Sequence, residues 1–145
     1  MTNETATSID LAAFSDTIDN AFSDATPTIW ATASKDGVPD VAPKGSTMIW
    51  DKDHLAFWER AGGTTLENLR ENPHAAMFYR NRDRGVGSRR FFGVAELYPT
   101  GELREAVRAR TVQAELDRDP ENKGVAIIIR IDRVVDGSRE VQRRS

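Results

Sequence analysis

The apolar residues of this chain come in short runs separated by polar turn residues, and this pattern limits the folds open to it. The most apolar runs cover residues 48–50, 55–58, 75–79 and 125–129, and three of them carry aromatic rings. Such runs need burial. Their length suits strands of a sheet, because a membrane-spanning helix needs about 20 consecutive apolar residues. The pattern therefore predicts a β-rich protein with no membrane span.

Length and charge restrict the number of domains and the kind of binding partner. The 145 residues are enough for one hydrophobic core, so we expect a single domain over residues 1–145. The net charge of −3 argues against general nucleic-acid binding, although residues 1–40 hold seven acidic side chains and one lysine. The absence of cysteine excludes disulfides and thiolate metal sites. The polar start of the chain predicts no secretory signal, so we expect a cytoplasmic protein.

The first half of the chain predicts a helix followed by three strands. Small and apolar groups recur at helical spacing over residues 8–24. Residues 28–34 and 39–50 then read as strands joined by Asp36-Gly37, a pair typical of a type I′ hairpin turn. A further polar turn leads to a third strand at residues 55–60. Three strands in series predict a meander.

The second half predicts a short helix, three more strands and one longer helix. Thr64 followed by Glu67 indicates a capping box, and Asn72-Pro73 ends that helix. Residues 74–80 and 88–98 read as strands, with Gly93 as a bulge or bend. A helix between Pro99 and Asp119 precedes the last strand, residues 124–135, and residues 1–7 and 137–145 read as loose tails. Six antiparallel strands favour a closed barrel with flanking helices.

The sharpest local motif is Gly62-Gly63-Thr64-Thr65, at the predicted start of the short helix. Free N–H groups, the positive end of the helix dipole and two hydroxyls suit a phosphate. The same residues could instead only form the turn and cap the helix. Lys44, predicted on a neighbouring strand, could reach an anionic ligand or remain a solvated edge lysine.

Several other residues could bind a ligand or only stabilise the fold, and the sequence alone does not decide between these roles. Guanidinium groups of one loop could grip a phosphate, stay solvated, or pair across a dimer with the acidic first forty residues; they are Arg80, Arg82, Arg84, Arg89 and Arg90. An RNA- or DNA-binding barrel would rest on this loop alone. His54 and His74 lack cysteine partners, so no metal site is expected. The three tryptophans, Trp30, Trp50 and Trp58, fit core or interface packing better than stacking on a cofactor.

Taken in order, the motifs resemble those of the pyridoxamine 5'-phosphate oxidase-like split-barrel superfamily, over residues 24–135. The motifs that carry the resemblance are Asp36-Gly37-Val38-Pro39, Pro43-Lys44-Gly45-Ser46, Gly62-Gly63-Thr64-Thr65, Asn68-Leu69 and Asn72-Pro73. The resemblance implies a mainly β (α+β) fold, a six-stranded antiparallel split β-barrel with flanking helices. It also implies a homodimer with FMN at the subunit interface. The net charge and the short apolar runs predict no nucleic-acid and no membrane partner.

The resemblance further implies a set of cofactor-binding residues. They are Pro43, Lys44, Gly45, Ser46, Trp58, Glu59, Arg60, Gly63, Thr64, Thr65 and Arg82. Lys44, Gly45 and Ser46 would contact ring or ribityl groups, and Thr64 and Thr65 the phosphate. Many relatives carry Arg or Lys at the last two positions, so here the charge would have to come from Lys44, Arg60 or Arg82.

An FMN-dependent oxidoreductase is the function that this resemblance implies, with hydride or electrons passing through the flavin and no side chain required as acid or base. Catalytic residues are not identified. The alternatives are a flavin-binding electron carrier without catalysis, a deazaflavin-dependent reductase, and a structural dimer without a cofactor. A small-molecule substrate or electron donor is expected for the enzymes.

Overall fold

A computed structural model describes residues 8–60 and 62–145, so the predicted loose segment 1–7 lies outside the described residues. The strands are β1 Thr28–Ala33, β2 Pro39–Lys44, β3 Met48–Ile49, β4 His54–Glu59, β5 His74–Asn81, β6 Val86–Tyr98, β7 Val125–Asp136 and β8 Arg139–Arg143. The α-helices are α1 Ser15–Ile18, α2 Thr64–Glu71, α3 Glu102–Arg110 and α4 Gln113–Leu116. Short 3-10 helices occur at Leu11–Phe14 and Arg82–Arg84.

The strands form one antiparallel sheet that curls into a half-barrel. Its order is β2-β1-β5-β6-β7-β4-β3, and β8 pairs with β7. The expected mainly β (α+β) split barrel with flanking helices is therefore confirmed, with eight strands in place of six. The expectation of a closed barrel is wrong, because β2 and β3, at the two ends of this order, do not pair with each other. Gly93 lies at a register shift between β6 and β7, so the predicted bulge in this strand is confirmed.

One of the two additional strands arises from a break in a predicted strand. The predicted strand 39–50 is broken after Lys44, so β2 pairs with β1 while β3 pairs with β4. The predicted meander is wrong, because β4 lies beside β7 at the other end of the sheet. The break brings both edges of the sheet close to residues 45–47, which link them.

The predicted loose tail 137–145 is also wrong, since β8 extends the sheet. Gly137 and Ser138 form the turn before it, and Gly137 has φ +64°. The side chain of Gln142 then exchanges two hydrogen bonds with the backbone of Asp10, at 2.9 and 3.0 Å. The C-terminal strand thus also fastens the beginning of the described chain.

The helix predicted over residues 8–24 is reduced to a 3-10 turn and the single turn α1. Side chains of Ser15, Thr17, Asn20 and Ser23 bond to carbonyls three or four residues earlier. Such local bonds compete with regular helix formation.

Two turn predictions need correction as well. Only Gly37 of the Asp36-Gly37 pair has positive φ, at +86°, so the turn is not type I′. The N–H of Gly37 donates to the Ser34 carbonyl at 2.9 Å, and Gly37 takes the left-handed position that follows a type I turn. The cap of α2 is Gly63 rather than Thr64, and no side chain caps this helix, so the predicted capping box does not form.

Apolar side chains fill both faces of β4 and β7. The larger cluster lies inside the half-barrel and includes Trp30, Phe57, Met77 and Phe91. A smaller cluster, which includes Trp58 and Val107, packs on the other face under α3. Core packing is thus confirmed for Trp30 and Trp58. Within the described residues, no helix is long and apolar enough to cross a membrane.

Candidate functional site

A cavity of about 300 Å³ lies where the ends of β2 and β4 meet the start of α2. We call it the corner pocket. Its lining consists of Pro43, Lys44, Ser46, Trp58, Glu59, Arg60, Gly62, Gly63 and Glu115. Cavities of this size lie at the lower end of the range that holds small ligands.

Lys44 reaches the corner pocket from the inner face of β2. Its carbonyl accepts a hydrogen bond from the Thr28 hydroxyl at 2.9 Å, which fixes the backbone there. Its Nζ lies 2.8 Å from Oε1 of Glu59, and the two side chains are only 15% and 6% exposed. The alternative of a solvated edge lysine is therefore wrong, because Lys44 is one half of a nearly buried ion pair.

Ser46 ties the bend after β2 to β4. Its hydroxyl accepts a hydrogen bond from the Trp58 N–H at 2.9 Å and donates to the Trp58 carbonyl at 3.2 Å. One side chain thus links the bend to the backbone of β4, as two hydrogen bonds between paired strands would. The bond pair holds one wall of the corner pocket at a fixed distance from the other.

The start of α2 forms the polar end of the corner pocket. Gly62 adopts φ +94°, which favours glycine, and Gly63 is the N-cap. Asn68 donates to the Thr32 hydroxyl at 3.0 Å, which fixes α2 against β1. The first N–H groups of an α-helix have no partner within the helix, so this end attracts anions.

The Trp58 ring is held by residues that the sequence analysis did not single out. Its indole N–H donates to Oδ2 of Asp119 at 2.9 Å, and the Arg104 guanidinium lies 4.7 Å from the ring centroid. A Cβ added at Gly124 would come within 2.3 Å of the ring, so glycine is needed there. The Asp-Pro signal at Asp119 was visible in the sequence, but nothing in the sequence pairs it with Trp58.

Asp119 is bound by donors from three residues. Desolvation would raise the pKa of Asp119, but hydrogen bonds from the Lys123 N–H, the Trp58 indole and the Gly124 N–H outweigh it and lower that pKa. A carboxyl with a lowered pKa stabilises the fold above its ordinary pKa and loses that contribution as the pH falls through its folded value.

We expect Asp119→Ala to lower the free energy of unfolding by about 1–2 kcal/mol, because the Trp58 indole and two backbone N–H groups lose their acceptor. Urea unfolding followed by circular dichroism measures the change. The deficit should be largest near neutral pH and shrink below pH ~4, where the wild-type carboxyl also becomes protonated. An equal deficit down to pH 2 would contradict a role for the ionised carboxylate.

A second cavity of about 440 Å³ adjoins the corner pocket and shares three of its lining residues, Pro43, Arg60 and Glu115. Gly45 lines this second cavity, together with Phe22 and Arg118. Neither Arg60 nor Arg118 forms an ion pair with any described residue. The combined space is thus polar at α2 and more apolar near Phe22.

The structure brings most of the predicted site residues together. Pro43, Lys44, Ser46, Trp58, Glu59, Arg60 and Gly63 line the corner pocket, and Gly45 lines the adjoining cavity. Thr64 and Thr65 are the first two residues of α2, next to the Gly63 wall. Arg82 stands apart, on the 3-10 turn between β5 and β6, and lines neither cavity.

Two arginines of the loop between β5 and β6 and its flanks form ion pairs within the chain. Arg84 forms an ion pair with Asp24, whose pKa is lowered by the hydrogen bond from that guanidinium. Arg89 pairs with Asp136 at 3.0 Å. The acidic first forty residues therefore do attract this loop, but through a contact inside one chain.

The two histidines lie outside both cavities. Nδ1 of His54 lies 2.8 Å from Asp51 and 2.9 Å from Asp53, and Asp53 also pairs with Arg144 at 3.0 Å. This group of ligand atoms is close enough to hold a cation. Because its carboxylates already bind a ring nitrogen and a guanidinium, the cluster by itself indicates no metal.

Proteins similar to this chain occur in archaea and bacteria. An uncharacterized protein of Methanocaldococcus jannaschii is 35% identical over 107 residues, which cover 72% of this chain and 68% of the relative. The structure of HupZ from Group A Streptococcus matches with a TM-score of 0.71 and 25% identity, covering 90% of this chain and 96% of HupZ.

An FMN-binding protein from Syntrophomonas wolfei shares the fold, with a TM-score of 0.65, 14% identity and coverage of 88% of each chain. The sequence profile of the pyridoxamine 5'-phosphate oxidase family matches residues 14–135. This match spans most of the half-barrel, including every residue of the corner pocket. The chain belongs to the pyridoxamine 5'-phosphate oxidase family.

Proposed function

We propose that this protein is a flavin-dependent oxidoreductase that binds FMN with its phosphate in the corner pocket. One observation carries the proposal: seven of the eleven residues that the family resemblance assigns to the cofactor line this single cavity. The family match supports a flavin as the ligand class. FMN supplies hydride or electron transfer when bound.

The residues present fit a phosphate-bearing cofactor. The N-terminus of α2, which begins with Thr64 and Thr65, and two cations, Lys44 and Arg60, supply donors of the kind that bind phosphate. The adjoining cavity offers the more apolar wall that a ring needs, with Phe22 and Pro43. Lys44 is the one donor whose charge is already matched, by Glu59.

This chain's own residues position the ligand and limit the access of water. Ser46 fixes the distance between the two walls of the corner pocket through its bonds to Trp58. Asp119 and Arg104 hold the Trp58 ring in place. No described residue in the corner pocket forms an acid–base pair other than Lys44 and Glu59, which agrees with chemistry carried by the cofactor.

Titration of the purified protein with FMN tests the proposal. We expect saturable quenching or enhancement of flavin fluorescence, and reduction of the bound flavin by NADH or NADPH in stopped-flow measurements. Binding without reduction by either donor would favour the electron carrier. Unchanged fluorescence with FMN and with a deazaflavin would overturn the proposal and leave the cofactor-free dimer.

Lys44→Met tests whether the phosphate of FMN binds next to this lysine. We expect FMN affinity to fall about tenfold or more, because the substitution removes a cation and leaves the Glu59 carboxylate facing the phosphate. Lys123→Met is the matched control, since Lys123 is 69% exposed and, among the described residues, pairs on the surface with Glu121 alone. Equal affinities of the two variants for FMN would contradict the placement of the phosphate.

We also propose that two copies of the chain associate through the outer face of the sheet. One row across β2, β1, β5 and β6 contains Val41, Ala31, Ala76 and Phe92, and the next contains Pro43, Ile29 and Phe78. Together these seven residues form what we call the outer apolar face. Val41 is 67% exposed and Phe78 is 37% exposed. Apolar patches of this kind mark interfaces, and symmetric dimers are the commonest assemblies.

A further inference from the structure

The ion pair between Lys44 and Glu59 is placed where a ligand should bind. Glu59 ends β4 and points to the inner face of the half-barrel, and its side chain is 6% exposed. Lys44 is its one ion-pair partner in the described part of the chain. A nearly buried pair costs desolvation that its attraction only partly returns, so it is weak evidence of a stabilising role.

The second carboxylate oxygen of Glu59 faces the start of α2. A Cβ added at Gly63 would lie 3.4 Å from Oε2 of Glu59, whereas Oε1 contacts Lys44. The carboxylate therefore lies between the lysine and the N-terminal end of the helix. Both of these attract negative charge.

We propose that Glu59 acts as an internal anion that holds the phosphate subsite of the corner pocket until a phosphorylated ligand displaces it. This inference rests on the proposed function for the identity of the flavin. The phosphate must break the contact between Glu59 and Lys44 and then take its place between Lys44 and α2. Glu59 is thus a specificity-determining residue, which lowers affinity for phosphorylated ligands and leaves affinity for the neutral parts of the ligand unchanged.

Thr64 and Thr65 carry no charge, so Glu59 has a larger influence on the affinity for phosphorylated ligands. Neutral hydroxyls form weaker bonds to a phosphate than charged donors do. Lys44 is then a principal cation of the subsite, and Glu59 neutralises it. The remaining cation of the corner pocket, Arg60, is exposed and forms no ion pair with described residues, so it gives weaker attraction through solvent.

Glu102 provides a matched control outside the site. It is an exposed carboxylate in the first turn of α3 and lines neither cavity. In the described part of the chain it forms no ion pair with Lys44. Replacing it by glutamine changes the net charge of the protein by the same amount as the change at Glu59, without freeing the lysine.

The test compares Glu59→Gln and Glu102→Gln with the wild type in titrations with inorganic phosphate, FMN and riboflavin. For Glu59→Gln we expect affinity for inorganic phosphate and for FMN to rise about tenfold, because Lys44 is freed, while riboflavin affinity changes less than about twofold. Phosphate should also raise the Tm of this variant more than that of the wild type. Glu102→Gln should change all three affinities by less than about twofold.

Two outcomes overturn the inference: FMN and phosphate affinities unchanged in Glu59→Gln, or an equal gain in both glutamine variants. The phosphate titration needs no flavin, so a failure of flavin to bind any variant sinks the proposed function and leaves this test intact. If Glu59→Gln does not fold, Glu59→Asp replaces it. Its carboxylate is one methylene shorter, so a smaller gain in phosphate affinity is expected and no gain overturns the inference.

Discussion

Gly93→Ala is expected to lower the free energy of unfolding by about 3 kcal/mol or more, a large share of the stability of a domain. An added Cβ at this position would lie 2.1 Å from the carbonyl oxygen of Arg130 and 3.0 Å from a methyl group of Ile129. The first of these is backbone in the middle of β7, so only a displacement of the strand can relieve the contact. Thermal and urea unfolding measure the loss.

Gly87→Ala is the matched control on the same strand. An added Cβ at Gly87 has no atom within 4 Å, so we expect a change within about 0.5 kcal/mol. Similar stabilities for the two variants would mean that the bulge between Phe92 and Gly93 adapts to a side chain. The curl of the sheet would then not depend on that glycine.

The strands and helices that could be predicted are those whose ends carry local signals. Asn72-Pro73 ends α2, and the bulge at Gly93 follows from glycine inside a strand pattern. The turn into β8 is formed by Gly137 and Ser138, and a Gly-Ser pair between two strands is also a hairpin signal, but the residues after it were predicted to be a loose tail. That strand is stabilised by pairing with β7, by Gln142 and by the packing of Val141, its single apolar residue, against the core.

The order of the strands could not be predicted, because it depends on contacts between distant residues. The bend at residues 45–47 turns one apparent strand into two that lie at opposite edges of the sheet. What fixes the bend is the bond pair between Ser46 and the backbone of Trp58, twelve residues away. Local propensity carries no information about such a partner.

In the candidate site, too, local groups of residues were predictable and contacts between distant residues were not. Residues close in sequence, such as Pro43, Lys44 and Ser46, were predicted together and do line one pocket. Glu115 and Asp119, which come from the segment after α3, were missed because only the tertiary structure brings them to Gly45 and Trp58. The ion-pair partner of Lys44 could not be predicted either, since its pairing with Glu59 spans two strands that are not neighbours.

Val41→Lys combined with Phe78→Lys is expected to convert the proposed dimer into a monomer. Both side chains lie on the outer apolar face, and two lysines on each copy would place four uncompensated charges in a desolvated, self-complementary contact. We expect the dissociation constant of the dimer to rise about a hundredfold or more. Sedimentation velocity across a range of concentrations measures it, with twice the mass of one chain expected for the wild type.

Leu103→Lys is the control, because Leu103 is 42% exposed on α3, which packs on β4 and β7 away from the outer apolar face. It should leave the dimer intact. Pro43 belongs both to the outer apolar face and to the corner pocket, so a second copy that covers the face would also complete a wall beside the ligand. The double lysine variant should therefore also bind FMN more weakly. A monomeric wild type, or full FMN affinity in a monomeric variant, would mean that one chain alone builds the site.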